Sequence, residues 1–422
     1  LRLSFGIVGN APETYPANII YEQGSDNGFT WNYVPSSWGN ANIRPEKKYE
    51  YEIGLESKFL NNRLGFDVSY YNNRVKEQIL STPQPSSSGV KYVLMNVGEV
   101  ANEGWDISVS ATPVLTKNFR WDLTANYGIY HNKVVKLAEG VPYLEISNIG
   151  GGGAKIQAVE GRPMGDIYVQ MPQMNENGDY LVSDKGLYLN QTDLQRVGNI
   201  NPDGVGGLFS SFSYKNIFLD FSIDFRIGGD VINEMYQYST ASGLTPESLQ
   251  YRDTEHGGLS YYYPGNNNAS GTPVQVDPSS GAGPNGEIIY HDGIILPGVV
   301  ASTGEKNTRI IPAGYYYNQT YNWGTQSEQL TYRHSVFDNT YVKLRELTIG
   351  YQFPEKLTAK LGMTRLSVSI FGRNLFYFYK ALKNYDAESS VGTSWASQAV
   401  VGGSRTQTPL FTVTITSIPP CS

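Results

Sequence analysis

KKYEYEIGLESKF, at residues 47–59, alternates apolar and polar side chains over nearly its whole length. One set of positions carries aromatic and aliphatic side chains: Tyr49, Tyr51, Ile53, Leu55 and Phe59. The intervening set is charged: Glu50, Glu52, Glu56 and Lys58. Successive side chains of an extended chain point to opposite faces, so this alternation predicts a β-strand with one apolar and one charged face.

The same alternation recurs, in places more weakly, in nine further stretches, which gives ten candidate strands. They cover residues 1–9, 49–59, 64–73, 105–112, 119–129, 206–214, 219–227, 346–353, 366–374 and 410–418. In the strand at 119–129, for example, Trp121 and Leu123 flank Asp122. The pattern therefore predicts an all-β chain of antiparallel strands.

The connections between these strands alternate in length. The short ones are 61–62, 115–118, 215–216 and 354–365. The long ones are rich in Gly, Asn, Ser, Pro and Tyr: 10–47, 79–100, 136–205, 229–340 and 375–409. Short turns at one end and long loops at the other are typical of a transmembrane β-barrel of the outer membrane, with its turns on the periplasmic side.

A bilayer explains both features of the pattern. Hydrocarbon offers no water to a backbone N–H or C=O group, so a spanning sheet must close on itself, with lipid on one face and water on the other. A soluble β-sandwich also alternates and is the alternative. Its outer face would need to be polar, whereas here the charges cluster on the face opposite Tyr51 and Ile53, which suits a wet lumen better than a dry core.

Composition excludes several classes of protein. The 422 residues carry 32 Lys and Arg against 39 Asp and Glu, which argues against a nucleic-acid partner. The single cysteine, Cys421, allows no internal disulfide. The four histidines are scattered and form no ligand pair or catalytic triad. We therefore expect no enzyme activity, no metal site and no cofactor.

Several motifs resemble the SusC/RagA family of TonB-dependent transporters. In chain order they are RPEK (44–47) with YEIGLE (51–56), FLNNRL (59–64) with VSYYN (68–72), NVGEVANEG (96–104), the hairpin from 215 to 229, YVKLRELTIGY (341–351), and FGRNLF (371–376) followed by Tyr385 and Asp386. Each motif is short, but their common order covers nearly the whole chain.

The resemblance implies a barrel of about 22 strands with a plugged lumen, located in the outer membrane. Residues 1–418 would be its C-terminal portion and 419–422 a frayed tail, with the plug and N-terminal domains outside this chain. The implied function is TonB-dependent import of oligosaccharides or oligopeptides. The implied partners are a SusD-like lipoprotein lid, the TonB complex through the missing N-terminal part, the lipid bilayer and lipopolysaccharide.

The tyrosine-rich long loops are the candidate contact region. Tyr and Trp offer a rigid face and a polar tip, which suit sugar rings and peptide side chains. The predicted substrate or lid contacts are Tyr261, Tyr262, Tyr263, Tyr315, Tyr316, Tyr317, Trp323, Tyr385 and Trp395. The aromatic and neutral polar composition leans toward a glycan, while the substrate class stays open. Packing of the loops against each other is the alternative for any single ring.

Two other functions fit the strands. Ten strands are enough for a self-contained outer-membrane porin or hydrolase barrel. A hydrolase would need a serine partner for a histidine at a strand end, and His131 shows none in the sequence. A soluble carbohydrate-binding β-protein is the third possibility, and a requirement for detergent would exclude it.

Overall fold

The computed structural model describes residues 1–422 except 13–20, 34–36, 84–85, 91, 97, 139, 150–152, 266–270, 323–330, 383–384, 389–409 and 419–422. The predicted frayed tail at 419–422 lies outside these residues. No helix in the described part of the chain is long and apolar enough to cross a membrane.

Ten long strands form one antiparallel sheet and follow each other in chain order. They are β1 (Arg2–Asn10), β2 (Glu46–Phe59), β3 (Leu64–Lys76), β4 (Glu99–Leu115), β5 (Phe119–Lys136), β6 (Gly204–Tyr214), β7 (Ile217–Ile227), β8 (Tyr341–Gln352), β9 (Arg365–Lys380) and β10 (Leu410–Ile418). All ten predicted strands are confirmed. Several extend beyond their predicted bounds, because the pattern weakens where a strand leaves the central band.

The register places the apolar positions of neighbouring strands on one face of the sheet. Ile53, for example, lies opposite Leu3 of β1 and Tyr70 of β3. This face is open rather than packed, since Ile53 is 52% exposed and Leu55 is 54% exposed. In the described part of the chain no second sheet packs on this apolar face, as expected for the face that lipid covers in a transmembrane barrel.

Aromatic rings gather near both ends of the apolar face. At the short-turn end Trp121 stacks on Phe212 with 5.4 Å between ring centroids. At the long-loop end Tyr70 lies 5.0 Å from Trp105. Aliphatic side chains such as Leu55, which lies opposite Val68, fill the band between the two rows. Such paired rows are the aromatic girdles of the two membrane–water interfaces.

The opposite face of the sheet is polar and contains several ion pairs. Arg2 of β1 binds Asp67 of β3 at 2.7 Å across the intervening strand. Lys58 and Glu56, on the same strand, are 3.2 Å apart. The clustered charges of the sequence therefore lie together on the face that water would fill.

The predicted alternation of connections is confirmed. Tight turns join β2 to β3, β4 to β5 and β6 to β7, and in the first of them Leu60, Asn61 and Asn62 take positive φ angles. The connection from β8 to β9 contains a helix, α3 (Glu355–Lys360). All long connections lie at the other end of the sheet, because each strand reverses the chain direction.

Residues 137–203 and 228–340, the connections after β5 and β7, fold together into what we call the loop domain. It contains α1 (Glu234–Ala241), α2 (Ala313–Tyr321) and the 3-10 turns Pro246–Leu249 and Arg333–Ser335. Its short strands are Tyr143–Ile149, Ala154–Val159, Asp166–Val169, Leu181–Val182, Gln195–Asn199, Asp230–Ile232, Leu259–Tyr262, Val274–Gln275, Tyr290–Ile294, Val299–Val300, Ile311–Pro312 and Val336–Asp338.

The two connections are joined by contacts far apart in sequence. Leu181 and Val182 pair in parallel with Val299 and Val300. A buried core joins them as well: Ile149, Ala154, Ile156, Ile167, Val169, Ile232 and Tyr332. Short strands in the first two long connections are Glu22–Asp26, Phe29–Tyr33, Ser37–Trp38, Ile79–Pro83 and Tyr92–Asn96, with a 3-10 turn at Ser86–Ser88.

Candidate functional site

The loop domain encloses a tyrosine-lined cleft of about 470 Å³. We call it the tyrosine cleft. Its aromatic lining consists of Tyr180, Tyr188, Tyr236, Tyr251, Tyr316, Tyr317, Tyr321 and His334. Its polar lining consists of Asn190, Glu247, Gln250, Thr320, Thr331 and Arg333.

Two helices and one turn position most of these side chains. On α2, Tyr317 and Tyr321 are one turn apart, and their ring centroids are 5.9 Å apart. α1 begins at the cap residue Asn233, whose side-chain oxygen accepts a hydrogen bond from the backbone N–H of Tyr236 at 3.0 Å. Because capping satisfies a free N–H of the first turn, it fixes the start of α1 and with it the position of Tyr236.

Hydrogen bonds and stacking hold the rings of the tyrosine cleft in place. The Tyr317 hydroxyl donates to the backbone carbonyls of Glu247 at 2.8 Å and Gln250 at 3.3 Å. The Tyr321 ring stacks on His334 with 5.7 Å between centroids. The cleft is therefore a preformed surface, which lowers the entropic cost of ligand binding.

Burial keeps these aromatic groups neutral at physiological pH. It raises the pKa of Tyr317 to about 12 and raises the pKa values of Tyr316 and Tyr321 above their usual range. Burial, together with the charge of Arg333, lowers the pKa of His334 to about 4. At pH 7 the cleft thus presents protonated phenols, an uncharged imidazole and the guanidinium of Arg333.

The structure places the predicted contact residues in different surroundings. Tyr316 and Tyr317 line the tyrosine cleft, and Tyr385 lies at its margin, 6.5 Å from the ring of Tyr236. Tyr315 packs against an aliphatic cluster behind the cleft. Trp323 and Trp395 lie outside the described residues.

The triplet Tyr261, Tyr262 and Tyr263 lies in the small sheet of the loop domain. Tyr261 is 1% exposed and Tyr263 7% exposed, and both pack around Ile310. The Tyr261 hydroxyl donates to Asp292 at 3.1 Å. Tyr262 is half-buried and pairs with Val274. Contact between these residues and a substrate stays a prediction, while the geometry gives Tyr261 and Tyr263 a packing role.

The sequence argument did not select four important lining residues: Tyr188, Tyr251, Arg333 and His334. They come from three separate segments and share no motif. Tyr251 stands in the tyrosine-rich loop, so composition was its one signal. For Arg333 the sequence offers none, because only the fold brings it beside the α2 tyrosines.

A second polar site lies on the polar face at the long-loop ends of β7, β8 and β9. Glu388 accepts hydrogen bonds from Lys343 at 2.6 Å and from Arg345 at 2.9 Å. Arg345 also donates to Asp224 at 2.5 Å and to Asn374 at 2.7 Å. We call these five residues the strand-end network. It joins the stretches YVKLRELTIGY and FGRNLF to the chain that follows Tyr385 and Asp386.

The loop domain also contains a serine–histidine pair. Ser260 Oγ lies 2.8 Å from Nδ1 of His291. Ser260 is 2% exposed, and the neighbouring Asp292 is bound by Tyr261 rather than by the imidazole. The pair is a packing hydrogen bond, since a catalytic serine needs access to substrate and an oriented base. Among the described residues no cluster of three metal-ligating side chains occurs.

Comparison with known proteins agrees with this architecture. Residues 1–163 match the family described as TonB dependent receptor-like, beta-barrel. TonB-dependent receptor P3 of Formosa agariphila is 22% identical in an alignment that covers 94% of this chain and 37% of the relative. TonB-dependent receptor SusC of Bacteroides thetaiotaomicron is 28% identical in an alignment that covers 53% of this chain and 24% of SusC.

Solved structures show the same fold. The RagAB peptide transporter aligns with a TM-score of 0.59 at 18% identity, over 92% of this chain and 38% of that chain. The RagAB peptide importer in the 'open-open' state aligns with a TM-score of 0.58 at 20% identity, and the alignment covers 93% of this chain and 37% of that chain. The chain thus spans little more than a third of the first relatives it matches, at 37% and 36%.

The two-faced sheet, its girdles and its alternating connections define an outer-membrane β-barrel. The family match over residues 1–163, the relatives named as TonB-dependent receptors and the RagA-like fold show that the chain is similar to the SusC/RagA-like receptor barrels of the outer membrane. The apolar face of the sheet is therefore its lipid face, and the polar face is its lumen face.

Proposed function

We propose that the complete protein imports oligosaccharides or oligopeptides across the outer membrane, powered by TonB. A SusD-like surface lipoprotein would close over the loop domain, and a plug outside this chain would contact TonB. This barrel would supply the wall of the path and part of the binding surface, without bond chemistry. The observation that carries the proposal is the preformed tyrosine cleft on the long-loop side of a lipid-facing wall.

The lumen face supports the same proposal. Ion pairs such as Arg2 with Asp67 line a hydrated path rather than a dry core. The strand-end network ties residues 385–388 to the wall, so the loops have fixed attachment points close to the lumen. Substrate held by the loop domain would then lie above a polar passage.

A growth experiment tests the proposal. The gene is deleted, and growth is measured on minimal medium with oligosaccharides or oligopeptides as the limiting nutrient. Growth should be lost on one class and restored by the gene in trans, but not in a strain that lacks TonB. Restoration without TonB would show a passive porin and overturn the proposal.

Partnership is tested separately. The tagged full-length protein is purified from outer membranes in mild detergent, and its companions are identified by mass spectrometry. A SusD-like lipoprotein should co-purify in equal amount. If the barrel is recovered without it from cells in which the lipoprotein is expressed, that part of the proposal is wrong.

A further inference from the structure

The most informative feature of the tyrosine cleft is its charge. Of its described lining residues, Arg333 carries the fixed positive charge, because His334 is neutral at pH 7. Within the described residues the Arg333 side chain forms no ion pair. Arg333 lines the cleft together with Tyr188, Tyr316, Tyr321 and His334.

A half-buried guanidinium without a carboxylate is unusual in a preformed site, because charges removed from water are normally paired. Arginine binds carboxylate and sulfate oxygens through two parallel N–H donors. The lining carboxylate, Glu247, is exposed and does not pair with Arg333. An anionic group of a ligand would therefore complete the coordination of Arg333.

The remaining lining favours a sugar over a peptide side chain. Tyrosine faces stack on flat rings, and the phenol of Tyr188 and the side-chain amide of the exposed Gln250 offer directional hydrogen bonds to ring hydroxyls. Two of the aliphatic lining residues are buried: Ile294 is 5% exposed and Leu296 is 4% exposed. The accessible surface of the cleft is therefore contributed mainly by its aromatic and polar residues.

We propose that the tyrosine cleft binds an acidic oligosaccharide, with sugar rings stacked on the tyrosines and a carboxylate or sulfate group on Arg333. This inference rests on the proposed import function and names its substrate class. Arg333 would determine selectivity for charged over neutral glycans, and the tyrosines would bind the sugar rings themselves.

Binding to the purified full-length protein in detergent tests the inference. Three probes of similar length are compared by calorimetry: an oligogalacturonate, a sulfated oligosaccharide and a neutral malto-oligosaccharide. At least one acidic probe should bind about tenfold or more tightly than the neutral one, and its affinity should fall with added salt. The two acidic probes distinguish carboxylate from sulfate as the recognised group.

Charge variants sharpen the test. Arg333→Gln should weaken the acidic probe by about tenfold or more and leave the neutral probe nearly unchanged. Glu247→Gln should strengthen the acidic probe by about twofold, because it removes an exposed negative charge. Arg252→Gln is the matched control, since its guanidinium binds the carbonyl of Gly243 at 2.9 Å outside the cleft.

Three results would overturn the inference: equal affinity for acidic and neutral probes, no effect of Arg333→Gln on an acidic probe, or binding of an oligopeptide in place of all three glycans. Circular dichroism and heat-modifiable migration of each variant show whether it is folded. If TonB-dependent growth on a neutral glycan or a peptide persists, the import function stands while this inference fails.

Discussion

The barrel wall and the loop domain contain similar amino acids, but contacts in the wall join strands that follow each other in the chain, whereas contacts in the loop domain join distant segments. In the wall each strand pairs with its neighbour in chain order, and outside the β-bulges the face of each side chain is set by period-2 alternation. In the loop domain, contacts join distant segments, such as Thr331 Oγ1 to the carbonyl of Gln170 at 2.9 Å. Tyr51 and Tyr351 of the wall lie exposed on the lipid face, whereas Tyr261 and Tyr332 fill a dry core. The surroundings, rather than the residue type, decide what a tyrosine does.

The largest expected effect on stability comes from placing a charged side chain on the lipid face of the wall. Leu347→Arg places a charge on the lipid face, opposite Phe221 and Gly372. It should lower the free energy of unfolding by about 2–4 kcal/mol, because hydrocarbon does not solvate the guanidinium. Urea titration of the full-length protein in lipid vesicles measures this loss.

Thr348→Arg is the control for this prediction, since the neighbouring residue faces the lumen opposite Asp220. It should change the unfolding free energy by less than about 1 kcal/mol. Equal losses for the two variants would mean that the assignment of faces is wrong.

The second prediction concerns the junction of wall and loops. Glu388→Gln leaves Lys343, whose side chain is 2% exposed, without its carboxylate partner. The unfolding free energy should fall by about 1.5–3 kcal/mol, the usual value of hydrogen bonds to charged groups. Limited proteolysis should also cut near residue 385 faster than in the parent protein.

The control for the junction is Glu346→Gln. Its partner Arg373 is on the same face, but the two side chains are 46% and 57% exposed. Exposed pairs contribute about 0–1 kcal/mol, so stability and cleavage should hardly change. A Glu346 variant as damaging as the Glu388 variant would contradict a special role of the strand-end network.

A smaller effect is expected inside the loop domain. Tyr317→Phe removes the hydroxyl that donates to the carbonyl of Glu247. The expected loss is about 0.5–1.5 kcal/mol, the net value of one hydrogen bond. Hydrogen exchange of α2 measures it. Tyr143→Phe, at a 41% exposed position, should leave this exchange unchanged.

The prediction with the smallest effect on stability at neutral pH concerns His334. Burial lowers its pKa in the folded protein to about 4, below the usual 6.5. The folded state therefore binds fewer protons than the unfolded state between these values. The stability from neutral His334 is fully present above pH 6.5 and is lost as the pH falls toward 4.

His334→Phe keeps a ring against Tyr321 and removes this titration. The pH dependence of α2 hydrogen exchange between these values should be shallower in the variant, with little difference at pH 7. An identical pH profile in both proteins would show that His334 is protonated equally in the folded and unfolded states.

The sequence predicted the wall well because its information is local. Each strand carries its own alternation of apolar and polar residues. The alternation of Trp121 and Asp122, for example, indicates which residue is on the apolar face even when the neighbouring strands are unknown. Strand ends were less certain, because positions such as Arg74 and Ala101 lie outside the alternating band yet still pair in the sheet.

The loop domain was beyond such reasoning. Its long connections carry no repeating pattern, and the pairing of Leu181 with Val299 is specified only by the whole fold. The choice of a tyrosine-rich contact region led to Tyr316 and Tyr317. It also selected Tyr261 and Tyr263, because a run of tyrosines in the sequence does not indicate whether their rings lie in a core or in a cleft. Arg333 could not be found because no local pattern distinguishes it from other surface arginines.

The strand-end network has a consequence for barrel assembly. Asp224 and Arg345 are 121 residues apart in the chain, and Lys343 and Glu388 are 45 apart. Their contacts can form only after three neighbouring strands have aligned in the correct register, since a slip of one residue would turn these side chains toward lipid. The network therefore couples the position of Glu388 to the register of β7, β8 and β9, because its contacts require the side chains of all three strands to lie on the lumen face.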